Sequence, residues 1–255
     1  VNRIEYDALE GCNFSTLKDL LRSPAHYQAA LAAKGQETEE DRQRFIVGTC
    51  LHAMVLEGKP LLSMYAVKPE GMSFATKEGK LWREQQTLPT MGADTAAQVQ
   101  AMVDAVNAHP LASAILKSCP SREHGLQADI NGVLCKGLID AIGKDASGNG
   151  IIVDLKSTRD ARSREFRRKI EWEFHYDLQA RLYQELALQC DHGECTPLWI
   201  VVETEAPHSV MVYQPGADLR ASGERKLQEV LTKWKECTAS GVWHGYQQTP
   251  TIEEI

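Results

Sequence analysis

The sequence has no apolar run long enough to cross a bilayer and no secretory leader at its start, so a cytoplasmic protein that does not engage membranes is expected. It lacks a Gly-x-x-x-x-Gly-Lys-Ser/Thr loop, which argues against ATP as a cofactor. Its seven cysteines are odd in number and scattered, which fits reduced thiols rather than a disulfide framework. Only Cys190, His192 and Cys195 lie close together, and three ligands without an evident fourth read better as a loop ending a helix than as a zinc site. Repeats and low-complexity segments are absent. Basic residues are the minority, 28 Lys and Arg against 35 Asp and Glu, so the chain is not one that coats nucleic acid indiscriminately.

What is present suits one large domain spanning residues 1–255, since 43% apolar content supplies ample core. Polar stretches at 33–44 and 68–80 read as surface loops, although Lys77, Lys80 and Arg83 around Trp82 form a weak basic cluster. Residues 93–107 read as an amphipathic helix, 198–204 and 208–214 as a strand pair, and 218–239 as a long closing helix with Leu227, Val230, Leu231 and Trp234 at helical spacing. The tail at 247–255 is expected to fray. Helices enclosing a central mixed sheet follow, an α/β class.

The most informative segment is GLIDAI at 137–142, followed by the turn formers of KDASGNG and then IIVDLKST at 151–158. Two apolar, β-branched runs around such a turn predict a hairpin. Alternation puts Asp154 and Lys156 on one face of their strand, with Val153 and Leu155 on the other, and Asp140 can reach the same spot from the neighbouring strand. Charges converging on an apolar hairpin are costly unless paired or bound to metal. Hard carboxylate oxygens suit Mg²⁺, with Mn²⁺ as the substitute. At this stage a plain Asp–Lys ion pair on a surface hairpin fits equally well.

Asp140, Asp154 and Lys156 resemble the acidic, acidic and lysine positions of the PD-(D/E)XK nuclease superfamily. Three further segments resemble its RecE-like (exonuclease VIII, phage-type) branch in order and spacing. FSTLKDLLRSPAHYQAAL at 14–31 looks like the opening helix, with Ser15 placed to cap it; FIVGTCLHAMVLEG at 45–58 is similar to the Gly-Thr-x-x-His helix; and QARLY at 179–183 matches a Gln-x-x-x-Tyr element. The resemblance runs from about residue 6 to about residue 190. It implies a restriction-endonuclease-like core in which the helical region at 14–58 contributes to the site. Many superfamily members carry Glu where this chain has Asp154, and the shorter carboxylate fits the RecE-like branch.

By this resemblance Asp140, Asp154 and Lys156 are catalytic, and His52, Glu123 and the Leu155 carbonyl join the two aspartates as metal ligands. Each has a plainer alternative. His52 falls on a helical face with Phe45, Gly48 and Leu56, as a core histidine would, and Glu123 at a strand start is ordinarily exposed. Gln179 and Tyr183 share one helix face, suited to the hairpin or to DNA, while Tyr183 also fits a core aromatic. Arg159, Arg162, Arg164, Arg167, Arg168 and Lys169 follow the candidate lysine and can meet phosphates or form a solvated face. An iron–sulfur cluster, found in some relatives, would need four patterned cysteines that are missing.

The implied activity is Mg²⁺-dependent hydrolysis of linear duplex DNA, 5′ to 3′, leaving 3′ tails. A ring-shaped homo-oligomer and a single-strand annealing partner in phage-type recombination are further implications. The rival readings are an endonuclease of the same fold and an inactive DNA-binding or assembly module.

Overall fold

The computed structural model describes residues 3–33, 35 and 39–246; the tail expected to fray lies outside the described residues. The helices are α1 (Arg3–Ala8), α2 (Phe14–Leu17), α3 (Pro24–Ala33), α4 (Glu39–Leu56), α5 (Leu61–Met64), α6 (Lys77–Glu84), α7 (Ala93–Ala108), α8 (Pro110–Ser118), α9 (Ser163–Arg168), α10 (Tyr176–Gln189) and α11 (Ala217–Ser240). The strands are β1 (Ala66–Val67), β2 (Thr90–Met91), β3 (Ser121–Ile130), β4 (Val133–Lys144), β5 (Gly150–Thr158), β6 (Cys195–Glu203) and β7 (Val210–Tyr213). Among the described residues no helix is long and apolar enough to cross a membrane.

The main sheet has five strands in the order β3-β4-β5-β6-β7. Only β5 and β6 run parallel, so the sheet is mixed. The β3–β4 and β4–β5 hairpins are closed by turn chemistry. Asn131 and Gly132 both take positive φ, 52° and 83°, which matches the twist of a two-residue connection between β3 and β4. Between β4 and β5 the Asp145 carboxylate accepts from the Ser147 and Asn149 amides at 2.8 and 2.9 Å.

Helices cover both faces, giving the mixed α/β architecture of a restriction-endonuclease-like fold. On one face α10 and α11 bury Leu178, Leu182, Leu186, Leu227 and Val230 together with Leu17 and Tyr27 from the N-terminal helices. On the other, α4, α7 and α8 bury Leu51, Val99, Met102, Val106 and Leu116 against Val153, Leu155 and Ile200. Gly137 on β4 lets α10 settle onto the sheet, because a Cβ there would stand 2.7 Å from the Tyr183 ring.

Several local expectations change. Asn13, not Ser15, caps α2, its side chain accepting from the Thr16 amide at 3.1 Å. The opening segment is also broken: a 3-10 turn at Lys18–Leu21 intervenes, and α3 starts afresh at Pro24, where the missing N–H costs nothing. The expected loop at 33–44 gives way to helix from Glu39, and the loop at 68–80 to helix from Lys77. Trp82 packs against Phe74, ring centroids 6.2 Å apart.

A buried ion pair joins the two long helices. Lys226 Nζ on α11 donates to both Asp177 oxygens at 3.0 and 2.8 Å and to the Glu171 carbonyl at 2.5 Å, and it lies 3.2 Å from His175 Nδ1. Removing one partner leaves a buried charge without compensation. Lys226→Met is therefore expected to cost about 3–5 kcal/mol in urea unfolding, and Asp177→Leu in the same chain should recover much of it; a single variant as stable as the parent would refute the pairing.

Candidate active site

Strands β4 and β5 pair from Lys144↔Gly150 to Ala141↔Val153 and then part. The next residues on each strand are Asp140 and Asp154. Past that point Leu155 turns both its amide and its carbonyl toward the β4 side, where the ladder has ended. Asp140 Oδ2 accepts from the amide at 2.7 Å, and His52 Nε2 on α4 lies 2.8 Å from the carbonyl and donates to it. A carboxylate and an imidazole thus take over hydrogen bonds that a strand would otherwise make.

The neighbouring strand is irregular at the same level. Pairing between β3 and β4 runs through Arg122↔Ala141 and His124↔Ile139 but omits the intervening Glu123 and Asp140. Glu123 has φ 44°, a left-handed conformation that costs a non-glycine residue of order 1 kcal/mol or more. Face alternation along β4 also changes phase here: Val133, Cys135 and Ile139 join one core, Ala141 the other, and Ile142 the first again. Glu123 and Asp140 meet across this break with His52 Nδ1, which is 3.9 Å from Glu123 Oε1 and 3.5 Å from Asp140 Oδ2. One ligand-type atom from each of His52, Glu123 and Asp140 lies within 4.8 Å of the others.

On the opposite side of the opening, Lys156 Nζ lies 2.7 Å from each oxygen of Asp154. Asp154 Oδ2 is nonetheless buried without an aligned hydrogen-bond donor. Gln179 Nε2 on α10 approaches Asp154 Oδ1 at 3.3 Å and the Tyr183 hydroxyl at 3.2 Å. Both Gln179 and Tyr183 are buried, and the contact they make here is with the hairpin. Tyr176, one turn before Gln179 on α10, sets its ring 4.5 Å beneath Lys156 Nζ. Sequence reasoning passed over Tyr176, although its spacing of three from Gln179 was there to be used.

Electrostatics tie these groups together. Burial pushes the Asp140 carboxyl up to about 6, against the pull of His52. Burial alone would lower the His52 pKa, but Asp140 and a hydrogen bond with Glu123 outweigh it and raise the imidazole to about 9. Lys156 is also raised, because Asp154, Tyr176 and Asp140 together overcome its burial. In this state the imidazolium of His52 neutralises the ring of oxygens that a cation would otherwise occupy. The donor set of carboxylates, one carbonyl and one imidazole, with one carboxylate oxygen lacking an aligned donor, fits a hard divalent metal.

The five arginines of the basic run are exposed and Lys169 is half-buried, and most of the run is engaged. Arg162 pairs with Asp160 at 2.6 Å, Arg159 with Glu205 at 3.8 Å, Arg167 with Glu171 at 3.8 Å, and Arg168 with Glu165 at 4.0 Å. Lys169 Nζ donates to Thr158 Oγ1 at 2.5 Å, while Arg164 lines an open groove with Ser163 and Met211. Surface pairs of this kind are worth about 0–1 kcal/mol and can exchange for phosphate. Phe45, expected to face inward with His52, is 60% exposed. In the Cys190–Cys195 loop, Cys190 Sγ approaches the Gln127 carbonyl and Cys195 Sγ the His192 carbonyl.

Residues 13–249 match a family described as a PDDEXK-like domain of unknown function, DUF3799. No curated protein matches the sequence. Among solved structures, a "Putative exonuclease" from Eubacterium rectale shares the fold with a TM-score of 0.64 at 12% identity, over 100% of this chain and 95% of that one. The structure of SSO0001 aligns over 74% of this chain and 85% of its own at 14% identity, with a TM-score of 0.32, too low to carry an argument.

The raised His52 pKa has a definite sign. A histidine whose folded value is about 9 rather than 6.5 adds stability below 6.5, and that stability is lost as pH rises through about 9. In metal-free protein the His52 ring proton, followed by NMR, should titrate well above 6.5, and Asp140→Asn should lower the midpoint; a midpoint at or below 6.5 would refute the cluster.

Proposed function

Because the chain belongs to the PDDEXK-like domain family DUF3799, we propose that it is a metal-dependent nuclease that hydrolyses DNA phosphodiester bonds at the opening between β4 and β5. The observation that carries this reading is the meeting of Asp140, Asp154 and Lys156 with His52 and Glu123 where the strands part. A surface hairpin with an ordinary ion pair would have no reason to collect a helix histidine and a strained glutamate at the same break.

In this reading Asp140, Asp154, Glu123, His52 and the Leu155 carbonyl hold Mg²⁺. The bound cation supplies Lewis acidity toward the phosphoryl oxygen and lowers the pKa of a water. The protein's own groups do the rest. Asp140 is fixed by the Leu155 amide, so its carboxylate needs no reorganisation on binding. Lys156 favours its charged form and is steered by Asp154 and the Tyr176 ring, which suits it to orient the attacking water and to offset charge on the phosphate rather than to begin as a base. Gln179 keeps the Asp154 carboxylate aimed through its own tie to Tyr183. Arg159, Arg162, Arg164, Arg167, Arg168 and Lys169 guide the backbone of the substrate by exchanging their surface partners for phosphates.

The finer reading is a RecE-like exonuclease acting 5′ to 3′ on linear duplex and leaving 3′ tails, assembled as a ring and serving an annealing partner. It is supported by the order of the motifs from the His52 helix to Gln179 and Tyr183. An endonuclease of the same fold shares the site and differs in accepting substrates without ends.

The test is Mg²⁺-dependent release of acid-soluble nucleotide from linear duplex carrying a 5′ phosphate, beside a covalently closed circle. Loss of the linear DNA alone is expected, with a fall of at least about a hundredfold in Lys156→Ala and Asp154→Ala, the scale on which catalytic electrostatics operate. Cutting of the circle would favour the endonuclease, and undiminished activity in either variant would sink the assignment of this site.

A further inference from the structure

The segment that leads from α9 into α10 is irregular twice over. Lys169–Glu173 forms a π-helical turn, and His175 follows in the left-handed region at φ 57°. Such distortions persist where the surroundings hold them and recur at functional sites. Here the holder is Lys226, which grips the Glu171 carbonyl and contacts His175 Nδ1.

The distortion presents aromatic side chains at alternate positions 172, 174 and 176. Tyr176 lies beneath Lys156 Nζ at 4.5 Å, and Phe174 stacks on Tyr176 with centroids 5.4 Å apart and planes 20° from parallel. Trp172 is 71% exposed and is the one exposed residue of the five tryptophans, the others being half-buried or buried. Leaving an indole in water forgoes the stabilisation of its burial, a cost the other four avoid at least in part. Exposed Arg164 and Arg168 precede the aromatic stretch, and Lys169 is fastened to the end of β5 through Thr158. Aromatic faces set beside cations are the composition that holds single-stranded nucleic acid, because every base has a face to stack and every linkage a charge. The two acids of the segment do not oppose this equally: Glu171 faces Arg167, while Glu173 is exposed.

We infer that the segment from Trp172 to Tyr176 is a stacking ledge for unpaired nucleobases of a DNA strand that enters the site, with Trp172 receiving a base and the α9 arginines its phosphates. The inference rests on the proposed nuclease reading for the direction in which the strand leads. It adds to that reading that the strand reaches Lys156 unpaired, so that a frayed or melted end is the form engaged. Trp172 acts as a specificity determinant for single-stranded character and is not itself one of the catalytic groups.

Binding without catalysis separates the two proposals. Full-length protein in EDTA at low salt is titrated with a 5′-phosphorylated single-stranded oligonucleotide carrying 2-aminopurine near its end, and with the blunt duplex of the same sequence. Quenching of the single strand is expected. Trp172→Ala should weaken single-strand affinity about five- to hundredfold, the effect of losing one base–aromatic stack. Trp172→Phe should keep most of the affinity, and neither change should alter duplex affinity comparably. Equal single-strand binding by Trp172→Ala, an equal loss on duplex, or no single-strand binding by the parent would overturn the ledge, even if duplex is digested in Mg²⁺. Trp172-dependent binding without any digestion would keep the ledge and remove the nuclease.

Discussion

The parting of β4 from β5 after Ala141 and Val153 is the constraint on which the site depends. A central strand that loses its neighbour exposes an amide and a carbonyl at every second residue, and an unpaired buried amide costs about 1–3 kcal/mol. Leu155 is the first residue to meet that problem. Its amide is satisfied by Asp140 and its carbonyl by His52, so the sheet repairs its own defect with the groups that can hold a cation. Continued pairing of β5 with β6 through Thr158↔Glu203 keeps the strand straight while its other edge is open. The opening is therefore a rigid notch, with Lys156 two residues along it and α4 and α10 approaching from opposite faces.

Charge balance in the notch follows from the same geometry. Asp140 and Glu123 face one another where β3 and β4 lose register, and two carboxylates so close favour any cation between them. The imidazolium of His52 fills that role without metal, and Lys156 does so for Asp154. Were a divalent ion held at the first cluster, it would compete with the proton on His52, so occupancy and pH would be linked through one side chain. Pairing within the notch also means that, in an acidic chain of net charge −7, the carboxylates here are already countered by neighbouring cations.

Much of this was legible in the sequence because strand alternation and turn chemistry are local. Asp145 and Asn149 announce the β4–β5 turn, and period two then puts Asp154 and Lys156 on one face. The helix at 93–107 and the closing helix were readable from apolar spacing for the same reason. What escaped was set by contacts distant in the chain. The α4 helix begins in a segment polar enough to read as a loop, and only packing against α7 and the sheet makes it pay to form. Phe45 has the right spacing to join His52 inside, yet it is exposed, because spacing alone does not say where along the helix the packing against the sheet stops. Tyr176 shares a helix face with Gln179 by its spacing, but that spacing alone does not say that the residue lies under Lys156, where the turn before α10 sets it.

That turn also shows how stability is placed in the service of the notch. Gly223 on α11 stands so near Asp177 that a Cβ would come within 2.4 Å of its carbonyl oxygen, and this close approach is what lets Lys226 reach across to α10. A buried lysine–aspartate pair adds little net stability over an apolar contact of the same volume. Its value lies in direction: one ammonium fixes the end of the π-turn, the left-handed residue after it and the first turn of α10 at once. Tyr176 and Gln179, which steer Lys156 and Asp154, start from that first turn. An apolar pair would hold the helices together as tightly and leave the angle of the turn, and with it the aim of both side chains, undetermined.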